Sequence, residues 1–249
     1  MQSVERALEL FGAVVRADGA VGISELSATS GLAVGTVHRL VATLAAHGYV
    51  RQDPDSRRYT VGYAAFDLAS RIRRQSGLLT EAEPYLRELV DLTGESANLA
   101  VLDGDAAMYV AHVPSPRTVR MFTEAGNRSP LHASGTGKVL LANLPDEGRE
   151  SLLVGLSLQR HTARTIVDAD ALRVELLGVR RAGFALDNGE FEEGVRCIAI
   201  PVRDGSGAVV AAVSVSGPAS RLTRERVDSL VPQIRDVSTR LSASLATRA

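Results

Sequence analysis

Between residues 23 and 61 the chain changes its apolar period abruptly, and that change restricts the fold more than any other feature. Val37, Leu40, Val41 and Leu44 recur at helical spacing, which predicts a helix over about 35–47 with Gly48 as its stop. Directly afterwards, YVRQDPDSRRYTVG reads as a strand, a polar turn around Asp53-Pro54-Asp55-Ser56, and a second strand. A shorter helix is expected just before, capped by Ser24 in SELSATSG and stopped at Gly31-Leu32. Ahead of both, Val4, Ala7, Leu8, Phe11, Val14 and Val15 are again helically spaced, and Ala17-Asp18-Gly19 ends the run. Three short helices, a tight turn between the second and third, and an immediate hairpin make a winged helix-turn-helix.

That motif assigns roles to polar residues. The third helix is expected to enter the major groove of DNA with Thr36, His38, Arg39 and Thr43, the residues opposite its apolar stripe. Ser24, at the start of the preceding helix, joins them as a candidate contact, and Arg57 and Arg58 of the hairpin would reach phosphate or the minor groove. The alternative is that these are solvated polar faces of a small helical domain. A net charge of −1 argues neither way, but residues 1–75 hold nine Arg against seven Asp/Glu, about +2, leaving about −3 for the remainder. Arg51, Arg57 and Arg58 form one basic cluster, and Arg71, Arg73 and Arg74 another.

YAAFDLASRIRRQ, residues 63–75, keeps helical apolar spacing and lacks the Gly/Ser/Pro content of a flexible tether. It reads as a connecting helix, giving a DNA-binding domain over 1–62, a linker helix over 63–76, and a second domain over 77–249. In that second domain a helix is expected at about 78–93, then strands at 97–103, 106–113 and 118–123. Helices follow at about 136–143, 146–154 and 168–182, strands at 184–187, 195–202 and 208–216, and a last helix at about 223–245. Strands grouped at both ends with helices between them predict an α+β domain built on an antiparallel sheet.

The stretch LHASGTGKVLLANL looks at first like a nucleotide-binding loop. A P-loop requires a glycine five residues before Gly-Lys and a Ser or Thr after it, and those positions hold His132 and Val139. What remains is a Ser134-Gly135-Thr136-Gly137 turn opening a helix, whose N-terminus either holds an anion or is an ordinary cap with nothing bound. Lys138 is expected to point to solvent, with pairing to a ligand as the alternative.

Other chemistry finds little support. His112, His132, Asp187 and Cys197 include the types a cysteine nucleophile needs, but nothing in their spacing brings them together, so no catalytic residue is assigned. Five scattered histidines and one cysteine show no paired ligand spacing, so neither a metal nor a cofactor is expected. Cys197 in the apolar strand VRCIAIPV reads first as a small core residue. No apolar run approaches the roughly 20 residues of a membrane span. The start MQSVERALELFGAVVRADG is an amphipathic helix rather than a signal peptide, and the lone cysteine fits a reducing cytoplasm.

ISELSATSGLAVGTVHRLVATLAAHGYVRQDPDSRRYTVG resembles the DNA-binding domain of the IclR family of bacterial transcriptional regulators. LHASGTGKVLLANLP, GFALDNGEFEEGVRCIAIPV and VVAAVSVSGPASRL resemble the same family's effector-binding domain in the same order, so the resemblance covers essentially the whole chain. One departure is Val34-Gly35, where members often carry a polar pair such as Lys-Ser before the Thr-Val of the recognition helix. The resemblance implies a GAF/PAS-like effector domain and a pocket made by Gly135, Thr136, Asp187, Cys197, Ser214 and Ser216, with Met121 and Val195 as apolar walls. It implies a small carboxylate-like effector of the glyoxylate, allantoin or aromatic-acid kind. It further implies a double-stranded DNA operator and a homodimer or homotetramer in the cytoplasm. The expected function is repression of a catabolic operon under effector control. An activator of the same architecture, or an architectural DNA-binding protein without effector, is the alternative.

Overall fold

The computed structural model describes residues 2–247, the side chains of Arg73 and Gln75 excepted, so the Arg73 member of the second basic cluster lies outside the described side chains. The chain divides after Ser76 into two compact units.

The first unit runs α1 (Gln2–Arg16), α2 (Ile23–Ser30), α3 (Val34–Ala46), β1 (Val50–Gln52), β2 (Tyr59–Val61) and α4 (Tyr63–Gln75). Its core joins Leu10 and Val14 of α1, Leu26 of α2, Val37 and Val41 of α3, and Val50 and Tyr59 of the hairpin. Ser24 does not cap α2. The cap is Gly22, whose N–H is accepted by the Glu25 carboxylate at 3.1 Å, and Ser24 sits exposed within the first turn. A carboxylate reaching back three residues does the capping, so no hydroxyl is required at position 24. At the other end Gly31 adopts φ 68° and donates its N–H to Ser27, which closes α2 and lets α3 begin at the Ala33 cap. The hairpin passes straight into α4 because Gly62 lies against the Gly48 carbonyl, where any Cβ would overlap the oxygen.

The second unit has three layers. Its six-stranded antiparallel sheet has the order β5-β4-β3-β8-β7-β6, with β3 Ser96–Asp103, β4 Ala106–Val113, β5 Arg128–Pro130, β6 Ala185–Asp187, β7 Val195–Arg203 and β8 Val209–Pro218. Alternation along the strands sorts residues to two faces. Ile198, Ile200, Val202, Val213 and Val215 meet α5 (Gly77–Thr93) and α9 (Arg224–Ala246). Ala185, Ala199 and Ala212 meet α6 (Gly135–Ala142) and α8 (Ala169–Ala182), with α7 (Asp146–Gly155) adding Leu153. Because helices cover both faces, β7 and β8 read as almost continuously apolar.

Residues 118–123 form no strand. The edge of β4 is already taken at Tyr109, whose N–H goes to Asn127 and whose carbonyl accepts from Gly126, and the short β5 follows at once. The segment pairs with no strand, and its Val119 and Phe122 side chains stand 67% and 76% exposed. Among the described residues no helix is long and apolar enough to cross a membrane.

Candidate functional site

In the first unit, α3 turns Val37 and Val41 inward, and the same helical period leaves His38, Arg39 and Thr43 exposed, with Thr36 half-buried at its start. The Thr43 hydroxyl donates to the Arg39 carbonyl at 3.0 Å. No polar pair precedes Thr36, and Val34 is 55% exposed there.

The two hairpin arginines differ. Arg57 is exposed and holds a left-handed backbone at φ 60°, unusual for a side chain of its size. The turn supports that conformation: Arg57 N–H donates to the Asp53 carbonyl at 2.9 Å, and Gln52 Nε2 donates to the Arg57 carbonyl at 2.9 Å. Arg58 instead folds back, donating from Nε to the Ala20 carbonyl at 2.8 Å and from Nη2 to Glu25 at 2.7 Å. The Gly22 N–H, and then Arg58, hold the Glu25 carboxyl below its usual range. Glu25 thus caps α2 and clamps the hairpin onto it. Of the pair, Arg57 is the one whose guanidinium has no such tie among the described residues.

In the second unit, polar residues line up across the sheet. Asp187 pairs in register with Cys197, Cys197 with Ser216, and Ser216 with Ser96, so four strands contribute one polar row on the α6 face. The next row along is Ala199, Ser214, Asn98 and His112, in which Asn98 Oδ1 contacts His112 Nδ1 at 2.8 Å. Against the first row lies the N-terminus of α6, capped by Ser134, whose Oγ accepts the Gly137 N–H at 3.0 Å. Packing excludes a side chain at Gly137 and leaves little room for one at Gly135. A Cβ on Gly135 would lie 3.1 Å from Cys197 Sγ, and one on Gly137 would lie 2.6 Å from Leu131 Cα. The small residues of the loop seat the helix end directly on the sheet.

The cleft between helix end and sheet opens to solvent, and its empty space, counted together with that open side, is about 320 Å³. Met121, Gly135, Asp187, Val195, Cys197 and Ser216 line it, and all were singled out from the sequence. Thr136 and Ser214 are fully buried and absent from the lining: Thr136 Oγ1 approaches Ser129 Oγ at 3.5 Å, and Ser214 Oγ accepts from Asn98 at 3.4 Å. Tyr109, Thr123, Ser134, Phe191 and Glu192 also line it. Tyr109 was hidden by the register shift between Leu99 and Ala100, which alters the side-chain alternation opposite it. Phe191 and Glu192 follow a turn whose course no period reports.

Burial governs the chemistry of this cavity. It pushes the Cys197 thiol up to about 11, so the sulfur stays protonated at neutral pH, the reverse of what a nucleophile needs. Burial also raises Asp187 to about 6, although its Oδ1 accepts the Glu190 N–H at 2.7 Å. The Tyr109 hydroxyl is pushed up to about 12, again by burial. A ligand here meets the neutral thiol and phenol, the carboxyl groups of Asp187 and Glu192, of which burial raises the first, and a helix N-terminus favouring negative charge.

Lys138 does not point to solvent. Its side chain is fully buried, and Nζ donates to Glu190 Oε1 at 2.8 Å, the Leu186 carbonyl at 2.8 Å and Glu175 Oε1 at 2.9 Å. Position 138 follows Gly137 on a helix buried from Gly135 to Ala142, so no face of that turn is open to water. Burial opposes the ammonium charge, but Glu190 and Glu175 together raise the lysine pKa. Among the described residues no group of three or more His, Cys, Asp or Glu is arranged to hold a metal.

Comparison with known proteins agrees with both units. The family model for the IclR helix-turn-helix domain matches residues 3–54, and that for the bacterial transcriptional regulator IclR C-terminal domain matches residues 72–243. The HTH-type transcriptional regulator BhcR of Paracoccus denitrificans is 37% identical over 100% of this chain and 88% of its own. The HTH-type transcriptional repressor AllR of Escherichia coli K12 is 34% identical over 100% of this chain and 92% of its own. Among solved structures, an IclR homologue from Microbacterium hydrocarbonoxydans complexed with 4-hydroxybenzoate superposes with a TM-score of 0.81 at 26% identity, covering 97% of this chain and 99% of that one. The chain belongs to the IclR family of DNA-binding transcriptional regulators, a family of regulators rather than enzymes.

Proposed function

We propose that this IclR-family regulator is a repressor of a catabolic operon, released or tightened by a small carboxylate that binds in the cavity of the second unit. The observation that carries the reading is the polar row Asp187–Cys197–Ser216 facing the Gly135 end of α6. Gly135 and Thr136 would offer N–H groups to the ligand carboxylate, as helix N-termini do for anions. Asp187, Cys197 and Ser216 would meet a hydroxyl or carbonyl on the same small molecule, with Met121 and Val195 against its apolar part. Ser214 and Thr136 Oγ1 would act from behind by holding Asn98 and Ser129. Repressor action follows the AllR relative, and an aromatic acid follows the 4-hydroxybenzoate complex of the Microbacterium homologue.

In the first unit His38, Arg39 and Thr43 would read base edges, Thr36 and Ser24 would meet the backbone, and Arg57 would meet phosphate, in a homodimer or dimer of dimers on a pseudopalindromic operator. Helix α4, without glycine or proline, would carry the ligand's effect between the units. A thermal-shift screen of the full chain against glyoxylate, allantoin-related acids and 4-hydroxybenzoate tests the reading. A ligand at about 100 times its Kd should stabilise the protein by roughly 2.7 kcal/mol. If none of these acids shifts the midpoint, the carboxylate assignment is wrong.

A further inference from the structure

The sequence contains 28 basic residues, and one of them, Lys138, is lysine; all the others are arginine. That single lysine is fully buried, and each of its three acceptors lies within 2.9 Å of Nζ. An ammonium offers three donors on a compact centre, whereas a guanidinium is a wide planar fork. Three acceptors converging on one point therefore require the lysine geometry.

Two of those acceptors bracket the cavity residue Asp187. The Leu186 carbonyl precedes it and the Glu190 carboxylate ends the Asp187–Glu190 turn, in which Gly189 takes φ 77° and the Glu190 N–H returns to Asp187 Oδ1. The Glu190 carbonyl in turn accepts from Thr165 Oγ1 at 2.7 Å. Phe191, the next residue, is a cavity wall. Lys138 itself belongs to the first turn of α6, whose Gly135 forms the facing wall.

We propose that Lys138 is a positioning residue for the ligand site: its ammonium fixes the Asp187–Phe191 turn against the N-terminus of α6 and so sets the width of the cavity before a ligand enters. The inference rests on the proposed ligand site but concerns its preorganisation, which lowers the cost of ordering the walls on binding. Lys138 touches no ligand in this scheme. Its third bond, to Glu175, extends the same hold to α8.

The test uses the full chain and two variants, Lys138→Arg and the neutral pair Lys138→Met/Glu190→Gln. Removing Lys138 together with Glu190 leaves no fully buried charge unpaired, and Glu175, which also loses the ammonium, keeps 37% of its side chain exposed to water, so the neutral pair should melt within roughly 4 °C of the parent. With fold retained, Cys197 serves as a built-in reporter, being the sole thiol and lying in the cavity wall. Its alkylation by iodoacetamide should accelerate by about tenfold or more in both variants, as expected when the turn no longer holds its place. Alkylation within about twofold of the parent in either variant overturns the proposal, because the turn then keeps its position without the ammonium geometry. A neutral pair that does not fold also overturns it, since the ammonium would then support the whole unit rather than the turn. In parallel, titration with 4-hydroxybenzoate and glyoxylate should show the neutral pair binding about tenfold more weakly than the parent. Equal affinity overturns the proposal as well. If the parent binds neither acid, the ligand reading loses its support, and the alkylation rates decide the positioning role alone.

Discussion

Two of the ion clusters that hold loops in this protein, one in each unit, work in opposite surroundings. In the first unit Arg58 and Glu25 pair at 2.7 Å with 42% and 54% of their side chains exposed. In the second, Lys138 pairs with Glu190 at 2.8 Å with 0% and 10% exposed. Geometry is nearly the same, but solvent is not. Water and salt screen the first pair, so it directs the hairpin without contributing much to stability. The second has lost its water, and its charges depend on each other completely. A regulator that must approach polyanionic DNA benefits from an exposed cationic surface, whereas a small-molecule cavity benefits from walls that do not move.

The largest expected effect comes from breaking the buried cluster at one end. Lys138→Met leaves the Glu190 carboxylate buried without its cation and should cost about 3–5 kcal/mol in urea denaturation at neutral pH. A loss no greater than that of a surface substitution would erase the contrast between the two clusters.

The next effect depends on pH. Asp187 is raised to about 6 in the folded chain against 3.8 for the free side chain, so between those values the folded state holds more protons than the unfolded one. Stability from this group is therefore present at low pH and falls as pH rises from about 4 to 6, by an amount on the order of 3 kcal/mol. Asp187→Asn should flatten that part of the stability profile. Denaturation curves at pH 4.5 and pH 7 check it, and an undiminished slope in the variant would assign the dependence to other groups.

The smallest effect on stability is expected at the exposed clamp. Glu25→Gln should leave the melting midpoint nearly unchanged while freeing Arg58 to approach phosphate, so non-specific DNA binding should become steeper in salt. Arg57→Ala should do the reverse, lowering the salt slope by about 0.9 for the lost phosphate contact. Measuring affinity for a random duplex across a salt series separates the two. Parallel slopes for both variants would mean that the clamp does not decide which arginine faces DNA.

Local period was enough to place most elements. Val37, Leu40, Val41 and Leu44 mark α3 by their helical spacing, and the short, nearly continuous apolar runs of β7 and β8 mark strands buried on both faces. Strand alternation set Ser214 and Ser216 on one face, yet it could not say that Ser216 lines the cavity while Ser214 bonds Asn98 behind it. That outcome depends on where α6 crosses the sheet. Residues 118–123 show the same boundary from the other side: their composition suits a strand, but residues 126 and 127 already occupy the edge at Tyr109.

What the sequence determined by itself is therefore the order and type of the elements and the family they compose, since these follow from short-range spacing and from motifs read in series. Only the tertiary structure decided the states of the charged residues. Arg58 lies 33 positions from Glu25, and Lys138 lies 37 and 52 positions from Glu175 and Glu190. A charge acquires its solvent exposure and its partner from chain segments far away, and no local period carries that information.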